Sequence, residues 1–174
     1  QRGKMSNEYI RIMKTAWSSD VPEFKGEYLS FANAHFSPRP VQRPHPPIWV
    51  GGSPGSISAP SIRRAAELCD AWHPLGLTLD VLEKGAAELR QAASRLGRRD
   101  RPGLAPRSML NLTDQAKGPS RAAFEGSPSE VVADIRRVQA LGAEYLTFDL
   151  PRKDVPTMVR TMERFVTEVK PALP

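Results

Sequence analysis

The chain has 174 residues, 40% hydrophobic and 25% charged, an ordinary globular balance and enough for one domain with a real core. A single cysteine, Cys69, excludes an internal disulfide and any cysteine-rich metal site, and no apolar run approaches a membrane span or a secretory leader, so a cytoplasmic chain with no membrane partner is expected. The formal charge of +6 is scattered over Arg63-Arg64, Arg98-Arg99 with Arg101, Arg136-Arg137 and Arg152-Lys153 without interleaved aromatic residues, which argues for solvated helix faces and against a nucleic-acid partner.

The chain opens at Gln1, not at a methionine, and is expected to be a piece of a longer protein. Tyr9, Ile12, Met13, Ala16 and Trp17 form one stripe at helical spacing and predict a helix over Met5 to Trp17. Asp20-Val21-Pro22 stops it. Phe24 to Phe31, with aromatic residues around Gly26, reads as a short hairpin. His35 to Pro40 is an irregular path in which His35 carries no readable role.

Pro44-His45-Pro46-Pro47 excludes a helix and holds the backbone extended. His45 therefore reads as structural. Ile48-Trp49-Val50 has the composition of a buried strand, and Gly51-Gly52-Ser53 follows. Two glycines at a strand's carboxyl end either make a tight turn or let a ligand approach the backbone closely. After a loop rich in serine and proline, Pro60-Ser61 begins a helix with Ile62, Ala65, Ala66, Leu68 and Cys69 on its apolar side.

Asp70 is placed to cap the helix-to-strand junction. Ala71 to His73 reads as a short strand ended by Pro74, with His73 at its carboxyl end. Core packing is the expectation for both Trp49 and Trp72. Thr78 is an N-cap for a helix with Leu79, Leu82, Ala86, Leu89, Ala93 and Leu96 on one face, closed by Gly97. Arg98 to Pro106 reads as a basic turn, Ser108 to Leu112 as a strand, and Thr113 to Gly126 as a long polar loop. Ser127-Pro128-Ser129-Glu130 is a capping box before Val131, Val132, Ile135, Val138 and Leu141. Tyr145 to Leu150 is a strand that brings Asp149 to its end. Asp154 starts a last helix with Val155, Met158, Val159, Met162, Phe165, Val166 and Val169 as its stripe, stopped by Pro171.

Strands alternating with helical crossovers predict an α/β chain with four parallel neighbouring strands: Pro47 to Gly51, Ala71 to His73, Ser108 to Leu112 and Tyr145 to Leu150. A complete eight-stranded barrel needs about 250 residues, so this chain is too short to close one. Three separated histidines give no metal spacing, and no nucleophile motif, phosphate loop or dinucleotide fingerprint is present.

Val41 to Gly52, followed by Arg63-Arg64-Ala65-Ala66-Glu67-Leu68-Cys69-Asp70-Ala71-Trp72-His73-Pro74, resembles the luciferase-like monooxygenase family. The capping box, the last strand and the last helix are similar to that family's closing elements. The resemblance implies a TIM-barrel type fold, with residues 1–174 a single domain and the carboxyl-terminal half of a (β/α)8 barrel, from helix four to helix eight. It implies a flavin- or F420-dependent oxidoreductase acting on a small organic substrate, with FMN or F420 as cofactor. Gly51, Gly52 and Ser53 are similar to the segment that meets the cofactor phosphate, and the helix start just beyond favours an anion. His73 lies on the catalytic side of such a barrel and either is the proton-transfer residue or only borders the cavity. The Ser53 to Ser61 loop is longer than the family's usual run into the helix, and Asp70-Ala71 replaces the commoner Asp-Gly. The alternative is a non-catalytic half-barrel, an assembly module that covers its open edges with a copy of itself or with a complementing amino-terminal half.

Overall fold

The computed structural model describes residues 1–173. The helices form where the apolar periodicity demands them: α1 (Arg2–Ser18), α2 (Ala59–Leu68), α3 (Leu79–Arg95), α4 (Pro128–Ala140) and α5 (Val155–Arg164), which continues through a π turn at Phe165–Val169 and a short 3-10 turn at Lys170–Ala172. The Thr78 hydroxyl accepts from the Val81 amide, and Asp154 accepts from Thr157 at 2.7 Å, so both predicted caps operate.

The strands are short: β1 (Phe24–Lys25), β2 (Ser30–Phe31), β3 (Trp49–Gly51), β4 (Ala71–His73), β5 (Gly103–Leu104), β6 (Arg107–Met109), β7 (Asn111–Leu112), β8 (Glu125–Gly126) and β9 (Thr147–Asp149). β1 and β2 make the expected antiparallel hairpin. β3 with β4, β4 with β5, β6 with β9 and β7 with β8 all pair in parallel. The ladder is not one continuous four-stranded sheet but a three-stranded piece and separate pairs. Pro106 has no N–H and interrupts the segment between β5 and β6. That segment still bonds on both sides: Ala105 N to Trp72 O and Arg107 N to Pro74 O toward β4, and Thr147 N to Pro106 O from β9.

Register assigns the faces. Trp49, Gly51, Ala71 and His73 alternate onto one side of β3 and β4, while Val50 and Trp72 take the other. Trp72 is fully buried with Leu82, Ala86, Leu89, Leu104, Val131 and Val138, so that second side is the helix-covered core. Phe148 also turns to the helices, against Phe124 and Phe165. By alternation Tyr145, Thr147 and Asp149 share the opposite, inner side with Arg107 and Met109.

Several expectations change here. Trp49 is not a core residue: it is 39% exposed, because its register against Ala71 places it on the inner side. α1 buries Glu8 and Ile10 instead of the Tyr9 stripe. The Glu8 carboxylate accepts from the amides of Glu27, Tyr28 and Leu29, which turns that face of α1 onto the hairpin. α5 buries only part of its stripe and leaves Val155, Val159, Met162 and Val166 exposed. The 98–106 segment contains a strand, and the 113–126 segment is ordered by buried ionic contacts described below.

Candidate functional site

The carboxyl ends of β3 and β4 carry the predicted residues to one place. Gly51 lies opposite His73 in the ladder. The Gly52 amide donates to the His73 carbonyl at 3.2 Å, so this amide belongs to the ladder and is not free for a ligand. The Ser61 hydroxyl donates to the Gly51 carbonyl at 2.5 Å and pins the turn to the first turn of α2. Gly55 adopts φ +70° and donates to Leu75 O at 3.0 Å, folding the loop back over β4. Gly51 and Ser53 are exposed and Gly52 is half-buried.

Neither Gly51 nor Gly52 adopts the left-handed conformation; their use is the room they leave. A Cβ on Gly51 would meet no atom within 4 Å. One on Gly52 would meet the Trp72 Nε1 and the Pro74 Cα, each at 3.4 Å. Trp72 Nε1 is buried and has no hydrogen-bond partner. A buried unsatisfied donor costs about 1–3 kcal/mol, and this one is free to meet an acceptor. The start of α2 adds the unpaired amides of Ala59 and Ser61, Pro60 between them having no N–H. This donor set, on a surface without side chains, fits an anionic, oxygen-rich group such as a phosphate ester.

His73 is half-buried on the inner side. Its Nδ1 lies 2.5 Å from the Ala105 carbonyl. A carbonyl only accepts, so Nδ1 carries the proton and, in the neutral ring, Nε2 is the acceptor. Trp49 lies beside it with ring centroids 5.6 Å apart, and Tyr145 is 5.1 Å from Trp49. Trp49 and Tyr145, without His73, line a cavity of about 210 Å³ that lies toward the amino-terminal ends of the strands, with Ala71, Gly103 and Ala105 and the carboxylates of Asp70 and Glu144 around it.

One layer further toward the carboxyl ends, Arg107 grips Asp149 through two bonds, Nε to Oδ2 at 2.9 Å and Nη2 to Oδ1 at 2.6 Å. The hydrogen bond from Arg107 holds the Asp149 carboxyl below its ordinary value, and Asp149 in turn raises the Arg107 guanidinium. Sequence reading picked out Asp149 but missed Arg107, whose position was hidden by the break at Pro106. His45 stays at the amino-terminal side, its Nδ1 2.9 Å from Pro46 O. Asp70 accepts from the Ile48 amide at 2.7 Å and ties β3 to the start of β4, the structural role expected of it. Among the described residues no group of three or more potential ligands is placed to hold a metal ion, and no helix is long and apolar enough to cross a membrane.

Residues 1–117 match the model of the luciferase-like monooxygenase family. A curated relative, the FMNH2-dependent dimethylsulfone monooxygenase of Pseudomonas putida, is 30% identical over 97 residues, which is 56% of this chain and 26% of that protein. Among solved structures, an F420-dependent secondary alcohol dehydrogenase in complex with an F420-acetone adduct superposes with a TM-score of 0.72 at 14% identity, covering 99% of this chain and 62% of the other. The oxygenating constituent of 3,6-diketocamphane monooxygenase from a Pseudomonas putida plasmid, in complex with FMN, gives 0.67 at 17% identity over 98% of this chain and 63% of the other. The chain thus spans about a quarter of the curated relative and under two thirds of these structures, whose likeness establishes the fold.

Proposed function

Because this chain belongs to the luciferase-like monooxygenase family, we propose that residues 1–174 are a single domain forming the carboxyl-terminal half of a (β/α)8 barrel, helix four to helix eight, of a flavin- or F420-dependent oxidoreductase acting on a small organic substrate. The parallel pairings and the common inner side of β3, β4, β6 and β9 support the half-barrel. The observation that carries the functional reading is the bare Gly51-Gly52-Ser53 turn at the carboxyl end of β3, set against the start of α2.

In this reading the Gly51 and Ser53 amides and the Ser53 hydroxyl hold the cofactor phosphate, and Gly52 supplies side-chain-free surface for it. FMN or F420, when bound, supplies the redox chemistry. The chain's own contribution is positioning and proton handling. His73, fixed by Ala105, presents Nε2 to accept a hydrogen bond or a proton from a substrate group. Arg107, steadied by Asp149, keeps further N–H donors for a substrate oxygen on the same side. Trp49 and Tyr145 pack against each other below His73, toward the amino-terminal ends of the strands, and wall that part of the inner side.

A second reading is favoured by one observation. Trp49, Met109 and Tyr145 lie exposed on the inner side, and α5 exposes four more apolar residues. A chain with this surface is a non-catalytic half until a second copy or a complementing amino-terminal half covers it. A cytoplasmic location is part of the same proposal.

The test is a titration of FMN and of F420 into the intact protein and its Gly52→Val variant, with circular dichroism as the folding control. The β-branched side chain takes the space where the phosphate sits. Affinity for the preferred cofactor should fall by at least about tenfold, roughly 1.4 kcal/mol. Equal affinities would remove Gly52 from the site.

A further inference from the structure

We propose that Trp72, a residue of the helix-covered core, is itself a phosphate ligand: its indole N–H donates to a phosphate oxygen seated on the bare face of Gly52. This rests on the cofactor-phosphate reading of the Gly51–Ser53 turn.

Three observations meet at this point. The first is the orphan donor, Trp72 Nε1, inside a fully buried side chain. The second is how the ring is fixed. Its far edge lies under Gly85 of α3, where an added Cβ would clash with Cη2 and sit 2.7 Å from Cζ3. Its nitrogen edge lies at Gly52, 3.4 Å from where a Cβ would be. Glycine at both ends lets the indole lie between α3 and the β3 turn. The third is that the Gly52 amide is already spent on the His73 carbonyl, so the backbone at this residue has no donor left for a ligand. The core tryptophan replaces it. An oxygen arriving over Gly52 meets the indole N–H on one side and the first turn of α2 on the other, where Ser61 anchors the loop.

The arrangement also explains why a tryptophan is suited to this core position. Phenylalanine would fill most of the same space between the helices and leave no donor behind Gly52. Any side chain on Gly52 would stand between the indole and the ligand.

The experiment uses the intact protein labelled with nitrogen-15 at its tryptophan indoles. The chain contributes three such signals, from Trp17, Trp49 and Trp72, and the Trp72 signal is assigned by its loss in Trp72→Phe. FMN and inorganic phosphate are the probes. Each should move the Trp72 indole signal and slow its exchange with water. Inorganic phosphate should leave the Trp49 and Trp17 signals in place. Trp72→Phe should weaken FMN binding about fivefold or more. Gly52→Ala keeps the core tryptophan, adding only a methyl in van der Waals contact with its Nε1, and guards against simple misfolding; it should weaken FMN similarly and abolish the movement of the Trp72 signal. If wild type binds FMN while its Trp72 signal stays still, or if Trp72→Phe and Gly52→Ala bind as wild type does, the inference is overturned and the phosphate reading survives. If wild type binds neither FMN, F420 nor phosphate, the phosphate reading falls and this inference falls with it.

Discussion

At Glu130 the capping box does more than close a helix. Its carboxylate takes amide bonds from Ser127 at 2.8 Å, Lys117 at 3.0 Å and Gly118 at 2.8 Å. Those bonds, Ser127 first, hold the carboxyl at about 2 instead of 4.5, against the opposing push of burial. A carboxylate depressed in the folded state stabilises the fold above its ordinary value, and the contribution is lost as pH falls from 4.5 toward about 2. Denaturant midpoints of wild type and Glu130→Gln should therefore differ clearly near neutral pH, with the gap narrowing below 4.5 and closing only as pH falls past about 2; an equal gap throughout would contradict the assignment. Arg98 is a second residue whose role lies outside any motif. Its Nη1 donates to the carbonyls of Ala65, Ala66 and Cys69, the carboxyl-terminal end of α2. Arg98→Met should cost about 2 kcal/mol, the scale of hydrogen bonds to a charged group, measured by urea unfolding. The sequence marked Arg98 only as part of a basic turn, because nothing local to residue 98 points back thirty positions to α2. By contrast the Gly51-Gly52-Ser53 turn was legible, since strand composition, glycine pair and helix start are all local. What could not be read was that the Gly52 amide is spent on His73, or that Trp49 faces inward; both follow from the register between β3 and β4.

Among the elements, α3 and α4 were read well because their faces are simple: Leu82, Ala86, Leu89 and Ala93 on one, and Val131, Val132, Ile135 and Val138 on the other, are buried as their spacing requires. α1 and α5 were legible as helices but not in orientation: in α1 the buried Glu8 carboxylate, not periodicity, decides which side packs, and α5 leaves much of its apolar stripe exposed. The 113–126 segment looked like a polar loop for a related reason. Its order comes from charges: Arg121 bonds Asp134 at 2.6 and 2.8 Å, and Asp134, only 5% exposed, also takes the Phe124 amide at 2.7 Å. A polar composition conceals such a network until the partners are seen together. α3 offers a direct test of packing against propensity. Gly85→Ala should gain roughly 1 kcal/mol from helix propensity, but its methyl strikes the rigid Trp72 ring, and overpacking of this kind costs about 1–3 kcal/mol. The variant should melt below wild type in calorimetry; a higher melting temperature would mean that Trp72 can move and is not held as described.

For the whole molecule, the question is what covers the inner side. Two groups of exposed apolar residues stand out: Trp49, Met109 and Tyr145 on the inner side, and Val155, Val159, Met162 and Val166 along α5 and its continuation. A patch of that kind on a lone chain drives association. In sedimentation the 174-residue chain by itself should self-associate or melt broadly, and a compact monomer with a sharp transition would count against a half-barrel. Length and element order motivate this expectation, although which side chains line the inner face depends on register. The phosphate site proposed at the carboxyl end of β3 is open to a crystal structure of the intact protein with bound FMN or F420. The phosphate should lie within hydrogen-bonding distance of the Gly51–Ser53 turn, on the bare face of Gly52 with the start of α2 beneath it; a bound cofactor whose phosphate lies elsewhere, with that turn left free, would rule the site out.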